Sequence, residues 1–255
     1  MLTGKAKLIA RHLRSSKKTV VLTGAGISTE SGIPDFRSPG SGIWTKFDPY
    51  LMTGEALYTD PKNFYENGLK FLEFLYSIKN AEPNKAHLAL AELERLELVS
   101  AVITQNIDGL HRKAGSKNIF EIHGNLEEAY CMRCKSKTTF DELVKKLSGG
   151  QIPPLCDLCS QRGRKGILRP NLVLFGDILP SSFKSATREV KTSSLLIVVG
   201  SSLEVYPANR LPANCRSFII INREETGYDS HAEIAWHENA GKALEQILKE
   251  LLKVQ

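Results

Sequence analysis

Short apolar runs rich in β-branched residues recur at Thr19–Thr23, Leu98–Thr104, Leu195–Val199 and Ser217–Ile221. None alternates cleanly with polar residues, which is the pattern of strands covered on both faces in a parallel sheet. Amphipathic stretches lie around them: Ala86–Leu96, and Ala240–Leu252 with Ala243, Leu244, Ile247, Leu248, Leu251 and Leu252 on one side. Strand and helix alternate, so the expected core is α/β, a doubly wound parallel sheet. Two stretches break the rhythm. Residues 39–83 read as a loop and then a helix rich in aromatics (Phe64, Tyr65, Phe71, Phe74, Tyr76), and residues 125–166 hold cysteines and a Ser148-Gly149-Gly150 break. Both are expected as insertions in a sheet whose strands resume at Ile167, so the main domain is assigned to 1–38, 84–124 and 167–255. There is no internal repeat or low-complexity tract.

The chain has 255 residues, 42% hydrophobic and 24% charged, enough for one large core and a smaller appendage. Lys5, Lys7, Arg11 and Arg14 interrupt the first apolar positions, so no signal peptide is expected, and Leu195–Val199 is far too short to cross a bilayer. A cytoplasmic protein without a membrane partner is expected. Four of the five cysteines fall into the pairs Cys131-x₂-Cys134 and Cys156-x₂-Cys159, 21 residues apart. This is a two-knuckle pattern for tetrahedral Zn²⁺, and four thiolates fill its coordination shell, so the metal is expected to be structural. A redox pair is the alternative reading of either CxxC, and Cys215 reads as a packing residue.

The net charge of +6 raises the question of nucleic acid. Between Cys131 and Arg169 stand Arg133, Lys135, Lys137, Lys145, Lys146, Arg162, Arg164, Lys165 and Arg169 against Asp141, Glu142 and Asp157. The whole excess therefore sits in the cysteine segment, where part of it balances thiolates on a metal. A solvated basic face is the expected reading, and a nucleic-acid partner is not expected.

Thr23-Gly24-Ala25-Gly26-Ile27-Ser28 follows the first strand, where glycine lets backbone N–H groups approach a pyrophosphate closely. Thr29 replaces the third glycine of the usual dinucleotide fingerprint, and a tight strand-to-helix turn explains Gly24 and Gly26 equally well. Gln105, Asn106 and Asp108 follow the next strand end, where ligands gather in open α/β sheets, although Asn106 to Gly109 also suits a capped turn. Gly200-Ser201-Ser202 and Asn222-Arg223 follow the two later strands in the same way.

The run from Gly24 to Arg37, GAGISTESGIPDFR, resembles the sirtuin signature at every fixed position. The resemblance continues in order through Thr104-Gln105-Asn106-Ile107-Asp108-Gly109-Leu110-His111, Ile122-His123-Gly124-Asn125, the two CxxC pairs, Leu168-Arg169-Pro170-Asn171 with Phe175-Gly176, and Gly200-Ser201-Ser202-Leu203. It spans nearly the whole chain. It implies a Rossmann-like domain with a smaller zinc-binding and helical domain, and an enzyme that consumes NAD⁺ while deacylating lysine.

On that resemblance, NAD⁺ is expected on Gly24, Ala25, Gly26, Ser28, Thr29, Gln105, Asn106, Ile107, Asp108, Gly200, Ser201, Ser202, Asn222, Arg223 and Ala240, under a loop carrying Asp35, Phe36 and Arg37. Asn106 and Asp108 are expected at the nicotinamide end, and His123 as general base; the ordinary imidazole value near ~6.5 suits proton acceptance at neutral pH. His12, His87, His111, His231 and His237 read as structural, and Phe36 alone would read as a core anchor. The extended run Asn171–Asp177 offers a strand edge to a peptide, with Val173, Phe175, Gly176, Asp177 and Val205 around the acyl-lysine.

The implied reaction expels nicotinamide, passes the acyl group to ADP-ribose and frees lysine and O-acetyl-ADP-ribose. Phe64–Phe71 lacks the Tyr-x-x-Arg pair of desuccinylating sirtuins, so neutral acyl groups are expected, acetyl first, with Lys70 the one residue that could stand in as a point charge. A monomer acting on acyl-lysine proteins or peptides is expected. The rival readings are mono-ADP-ribosyl transfer by the same chemistry, an NAD-dependent oxidoreductase, and a zinc-ribbon nucleic-acid binder.

Overall fold

The computed structural model describes residues 2–36, 40, 42–48 and 52–253. In chain order its first elements are α1 (Leu2–Ser15), β1 (Thr19–Thr23), α2 (Gly54–Thr59), α3 (Pro61–Ile78), α4 (Lys85–Arg95), β2 (Ala101–Thr104), α5 (Leu110–Lys113) and β3 (Ile119–Glu121). There follow β4 (Gly124–Cys131), β5 (Lys137–Thr139), α6 (Phe140–Ser148), α7 (Asp157–Ser160) and β6 (Leu168–Leu172). The last are α8 (Ser181–Thr192), β7 (Leu195–Val199), β8 (Phe218–Ile221), β9 (Ile234–Trp236) and α9 (Ala240–Leu252).

Six strands form the main sheet in the order β3-β2-β1-β7-β8-β9, and every pairing is parallel. The absence of polar alternation has a direct cause. Val21, Ile197, Val199, Ile219 and Ile221 face a core closed by α1, α4 and α9, while Val20, Leu22, Ile103, Leu196, Val198 and Ile220 face the opposite core under α8. Both sets of alternate positions are therefore apolar. On α9 the expected face holds for Ala243, Leu244, Ile247 and Leu251, but Leu252, in the last turn, is exposed.

The main sheet does not resume at Ile167, which corrects the sequence-based expectation. Leu168–Leu172 instead pairs antiparallel with β4, making a second sheet in the order β5-β4-β6, and the main sheet resumes only at β7. Pro170 explains the placement, since it donates nothing to a ladder and is tolerated on an edge strand. The two interruptions of the main sheet fold together: Phe64, Tyr65, Phe71, Leu72 and Leu75 of α3 share one buried core with Leu126, Ala129, Phe140, Leu143, Leu168 and Leu172. The Tyr65 hydroxyl donates to the Leu168 carbonyl at 2.6 Å, satisfying its polar end in that core.

Candidate functional site

The carboxyl ends of β1, β2, β7 and β8 open on a cavity of about 790 Å³ whose other wall comes from residues 172–179 and 204–207. The glycines after β1 and β7 interlock at its floor. Gly24 N–H donates to Val199 O at 3.1 Å and Gly26 N–H to Gly200 O at 2.8 Å. Gly200 has φ +62°, and a Cβ there would lie 2.3 Å from Ile27 N, so neither the conformation nor the space admits a side chain. Backbone is thereby brought to the cavity surface at a point where strands end, which is where an open α/β sheet binds a dinucleotide.

Most of the expected residues border this one cavity: Gly24, Ala25, Gly26, Thr29, Asp35, Phe36, Gln105, Asn106, Ile107, His123, Gly200, Ser201, Ser202, Asn222, Arg223 and Ala240, with Val173, Phe175, Gly176, Asp177 and Val205 opposite. Arg37 lies outside the described residues. Ser28 and Asp108 are buried one layer behind Asn106. The Ser28 hydroxyl donates to Asp108 Oδ2 at 2.7 Å and accepts from Asn106 Nδ2 at 3.0 Å, and Asp108 Oδ1 accepts Leu110 N–H at 2.9 Å. Burial raises the Asp108 carboxyl above its ordinary value, and the bonds from Leu110, Ser28 and Asn106 oppose that rise.

Two further histidines sit under this layer. His87 accepts Asn84 N–H on Nδ1 at 3.3 Å, which leaves Nε2 to carry the proton and face Ser28 Oγ at 3.4 Å. His111 Nε2 meets Thr23 Oγ1 at 2.9 Å, and the two rings lie 4.9 Å apart. Burial pushes His87 down to about 4; burial and then the neighbouring His87 push His111 down to about 3. Both are neutral supports at physiological pH, in keeping with their reading as structural.

His123 is different because it borders the cavity. Its Nδ1 is 3.0 Å from the Gln105 carbonyl, which can only accept, so Nδ1 carries the hydrogen and Nε2 the lone pair. Burial lowers its pKa and the bond to Gln105 partly restores it. The arrangement is a neutral imidazole of fixed tautomer, suited to accepting a proton.

Opposite, Asp177 borders the cavity but its carboxylate is engaged. Arg169 donates to Asp177 Oδ2 at 2.6 Å, with the two side chains 3% and 13% exposed, and Leu174 N–H donates to the same oxygen at 2.9 Å. Phe175 N–H and C=O bond Met52 O and Gly54 N at 3.1 and 2.9 Å, which ties the run to residues 52–54. Sequence reasoning did not single out Met52, Phe71, Leu172, Leu174, Leu179, Tyr206, Glu238 or Asn239 on the cavity wall. The first five and Tyr206 look like core residues in sequence; only Asn239, as the N-cap of α9, carries a local signal.

The four cysteines form a separate cluster, their sulfurs all within 4.8 Å of one another. Cys131 Sγ to Cys159 Sγ and Cys134 Sγ to Cys156 Sγ are both 3.8 Å. Zn–S bonds of about 2.3 Å in a tetrahedron place sulfurs about 3.8 Å apart, so this donor set fits zinc. Gly166 makes the space, because a Cβ there would lie 2.6 Å from Cys159 Sγ and 2.7 Å from Cys131 Sγ. Cys215 is remote from the cluster, part-buried, with its Sγ 3.2 Å from Ser217 O. Lys137, Lys146 and Arg169 of the basic segment are paired with Glu128, Asp157 and Asp177.

Comparison with known proteins is consistent across the chain. The profile of the Sir2 family matches residues 24–207. NAD-dependent protein deacetylase 2 of Caldanaerobacter subterraneus subsp. tengcongensis is 50% identical over 242 residues, 94% of each chain. The NAD-dependent protein deacetylase of Thermotoga maritima is 43% identical over 251 residues, 96% of this chain and 98% of that one. Among solved structures, a Sir2 with a p53 peptide and NAD⁺ superposes with a TM-score of 0.85 at 39% identity, covering 98% of this chain and 99% of the other.

Proposed function

The chain belongs to the Sir2 family, and on that premise we propose that it is an NAD-dependent protein lysine deacetylase whose general base is His123. The reaction passes the acyl group of lysine to ADP-ribose and releases nicotinamide, free lysine and O-acetyl-ADP-ribose; solved relatives at 41% and 39% identity contain acetyl-ADP-ribose with deacetylated peptide and NAD⁺ with peptide. The observation that carries the assignment to this site is the single cavity in which the glycine loops, Asn106 and a neutral His123 face Val173, Phe175, Gly176 and Val205.

In this site the interlocked glycines 24, 26 and 200 present backbone to the diphosphate, with Ala25, Thr29, Ser201 and Ser202 beside them. Asn222, Arg223 and Ala240 take the adenosine end, and Asp35 and Phe36 cover the nicotinamide end together with Arg37. Gln105, Asn106 and Ile107 line the pocket floor. Asp108, which accepts from Ser28 and Leu110 N–H, fixes Ser28 and through it the Asn106 amide at the pocket floor. His123 Nε2 takes the proton from a ribose hydroxyl, and its hydrogen-bonded Nδ1 holds the ring in the receptive tautomer. Phe175 spends its backbone groups on Met52 and Gly54, so the peptide backbone pairs at Gly176 and at Val205 across the mouth.

Arg223, at the adenosine end, is the one lysine or arginine among the described residues that border the cavity, and Lys70 is not among them. Among the described residues, none at the other end offers an acyl carboxylate a lysine or arginine, which supports acetyl and other neutral acyl groups as substrates. Cys131, Cys134, Cys156 and Cys159 hold a structural Zn²⁺, which ties β4 to the segment around α7. The need for four reduced thiols supports a cytoplasmic setting.

Mass spectrometry of an acetyl-lysine peptide incubated with enzyme and NAD⁺ tests the reading. Loss of 42 Da from the peptide, about one acetyl group, with matching nicotinamide release is expected, and His123→Ala is expected to lower the rate by about 10²–10⁴-fold with the fold retained. NADH formation, or deacetylation without NAD⁺, would overturn it.

A further inference from the structure

Two segments far apart in the chain meet beside the part of the cavity assigned above to adenosine. One is the short helical turn Thr29–Ser31, which continues the glycine loop and whose Thr29 borders the cavity. The other is the first turn of α9, where Asn239 and Ala240 border it. A carboxylate joins them across 211 residues of sequence: Glu30 Oε2 accepts Gly241 N–H at 2.9 Å.

The join is built from both sides. Gly241 is the second residue of α9, so its N–H is one of the donors that a helix leaves without a partner of its own. The N-cap side chain does not serve it, because Asn239 accepts Lys242 N–H at 3.2 Å. Glu30 supplies the acceptor, and its charge stands where the helix dipole favours an anion. Glycine at 241 makes the room. A Cβ there would lie 2.4 Å from Glu30 Oε2 and 3.1 Å from its Cδ and Oε1, and these are the three nearest atoms. The turn that carries Glu30 is itself held by the N-cap of α4: Asn84 Nδ2 donates to Ile27 O at 2.8 Å and to Ser31 Oγ at 3.0 Å. Thr29 Oγ1 donates back to Gly26 O at 3.0 Å, so the same turn is also fixed to the glycine loop.

We propose that Glu30 is a positioning residue for the dinucleotide: by holding Gly241 N–H it fixes the first turn of α9, with Asn239 and Ala240, against the glycine loop and so sets the spacing of the walls around the adenosine. This rests on the NAD-dependent reading above. Glu30 touches no part of the cofactor in this role. A site whose walls are already in place loses less freedom when the ligand enters, so the bond acts on dinucleotide affinity and leaves the peptide side, on the opposite wall, as it was.

The test uses ADP-ribose, which keeps the adenosine and the diphosphate and carries no nicotinamide to lose. Its binding to the full chain is measured by isothermal titration calorimetry, beside steady-state kinetics with an acetyl-lysine peptide and NAD⁺. Glu30→Ala is expected to weaken ADP-ribose by about fivefold and to raise KM for NAD⁺, with KM for the peptide within about twofold of native. Glu30→Gln keeps an oxygen for Gly241 N–H and should recover most of the loss. Gly241→Ala expels the carboxylate and should weaken ADP-ribose about as much as Glu30→Ala does. Added to Glu30→Ala, the same methyl should cost no further affinity and should raise the unfolding midpoint, because alanine is the better helix former once the carboxylate is gone. A contact that served stability alone would move the midpoint and leave ADP-ribose untouched. An ADP-ribose affinity within about twofold of native in Glu30→Ala, a peptide KM that rises as much as that for NAD⁺, or additive losses in the double variant overturns the proposal and leaves the deacetylase reading intact. A native chain that binds neither ADP-ribose nor NAD⁺ overturns that reading and the proposal with it.

Discussion

Replacing Asp177 by alanine removes the partner of a buried guanidinium. The Arg169 side chain is 3% exposed and cannot reach water, so the variant leaves an uncompensated charge rather than a neutral gap. Breaking such a pair costs about 3–5 kcal/mol. Arg169 keeps its bond to Leu172 O at 2.8 Å and a Tyr130 ring 5.6 Å away, which places the cost toward the lower end. At about 2–4 °C per kcal/mol for a chain of this size, the midpoint of thermal unfolding should fall by about 6–12 °C. Leu174 N–H loses its acceptor as well, so the turn bearing Phe175 and Gly176 loosens and KM for the peptide should rise while KM for NAD⁺ changes less. Differential scanning calorimetry at two scan rates reads the first effect, and steady-state kinetics the second. An Arg169→Met, Asp177→Leu double variant should regain most of the lost stability, because two apolar groups need no partner. A midpoint within 2 °C of native for Asp177→Ala, about half a kcal/mol, would refute the account of the pair as the girder of this wall.

Acid should destabilise the fold through His87 and His111. Unfolded histidine takes a proton near ~6.5, whereas His87 holds out to about 4 and His111 to about 3, so the unfolded chain binds more protons across that window and stability falls as pH drops, by about 1.4 kcal/mol per pH unit per histidine. Urea midpoints between pH 6.5 and 4.5 should show the slope, and His111→Leu should roughly halve it; an equal slope in that variant would place the proton uptake elsewhere. For catalysis, the lowered pKa of His123 moves the acid limb of kcat/KM below the ordinary histidine value, with activity lost as the base protonates, and a limb above 6.5 would count against His123 as the base. Gly166→Ala puts a methyl 2.6 Å from Cys159 Sγ, and purified variant should carry less than one zinc per chain by atomic emission; full, chelator-resistant occupancy would contradict the packing argument.

The parts of the fold legible in sequence are those where each residue's own chemistry dictates the element. β1 and β7 are apolar at every interior position because both faces of the sheet are covered, and the glycines at 24, 26 and 200 report backbone contacts that exclude a Cβ. The cysteine spacing is legible for the same reason, since four thiolates on one ion need little beyond the right separations. β9 escaped because three residues, Ile234–Trp236, are too short to show a period. Met52, Phe71 and Tyr206 escaped because an apolar residue on a cavity wall reads the same as one in a core.

Asp177 shows where sequence alone runs out and why. In a run that borders a binding cavity, a carboxylate could hold substrate or hold the protein, and its type and position in the chain are identical in either case. What separates the two roles is Arg169, eight residues earlier on β6, together with Leu174 N–H, both of which reach the same oxygen. Pro170 suits β6 to the edge of the small sheet, and from there the chain turns at Gly176 with φ +85° and brings the carboxylate back onto the guanidinium. The cavity wall is therefore braced by an ion pair between two side chains of the chain itself.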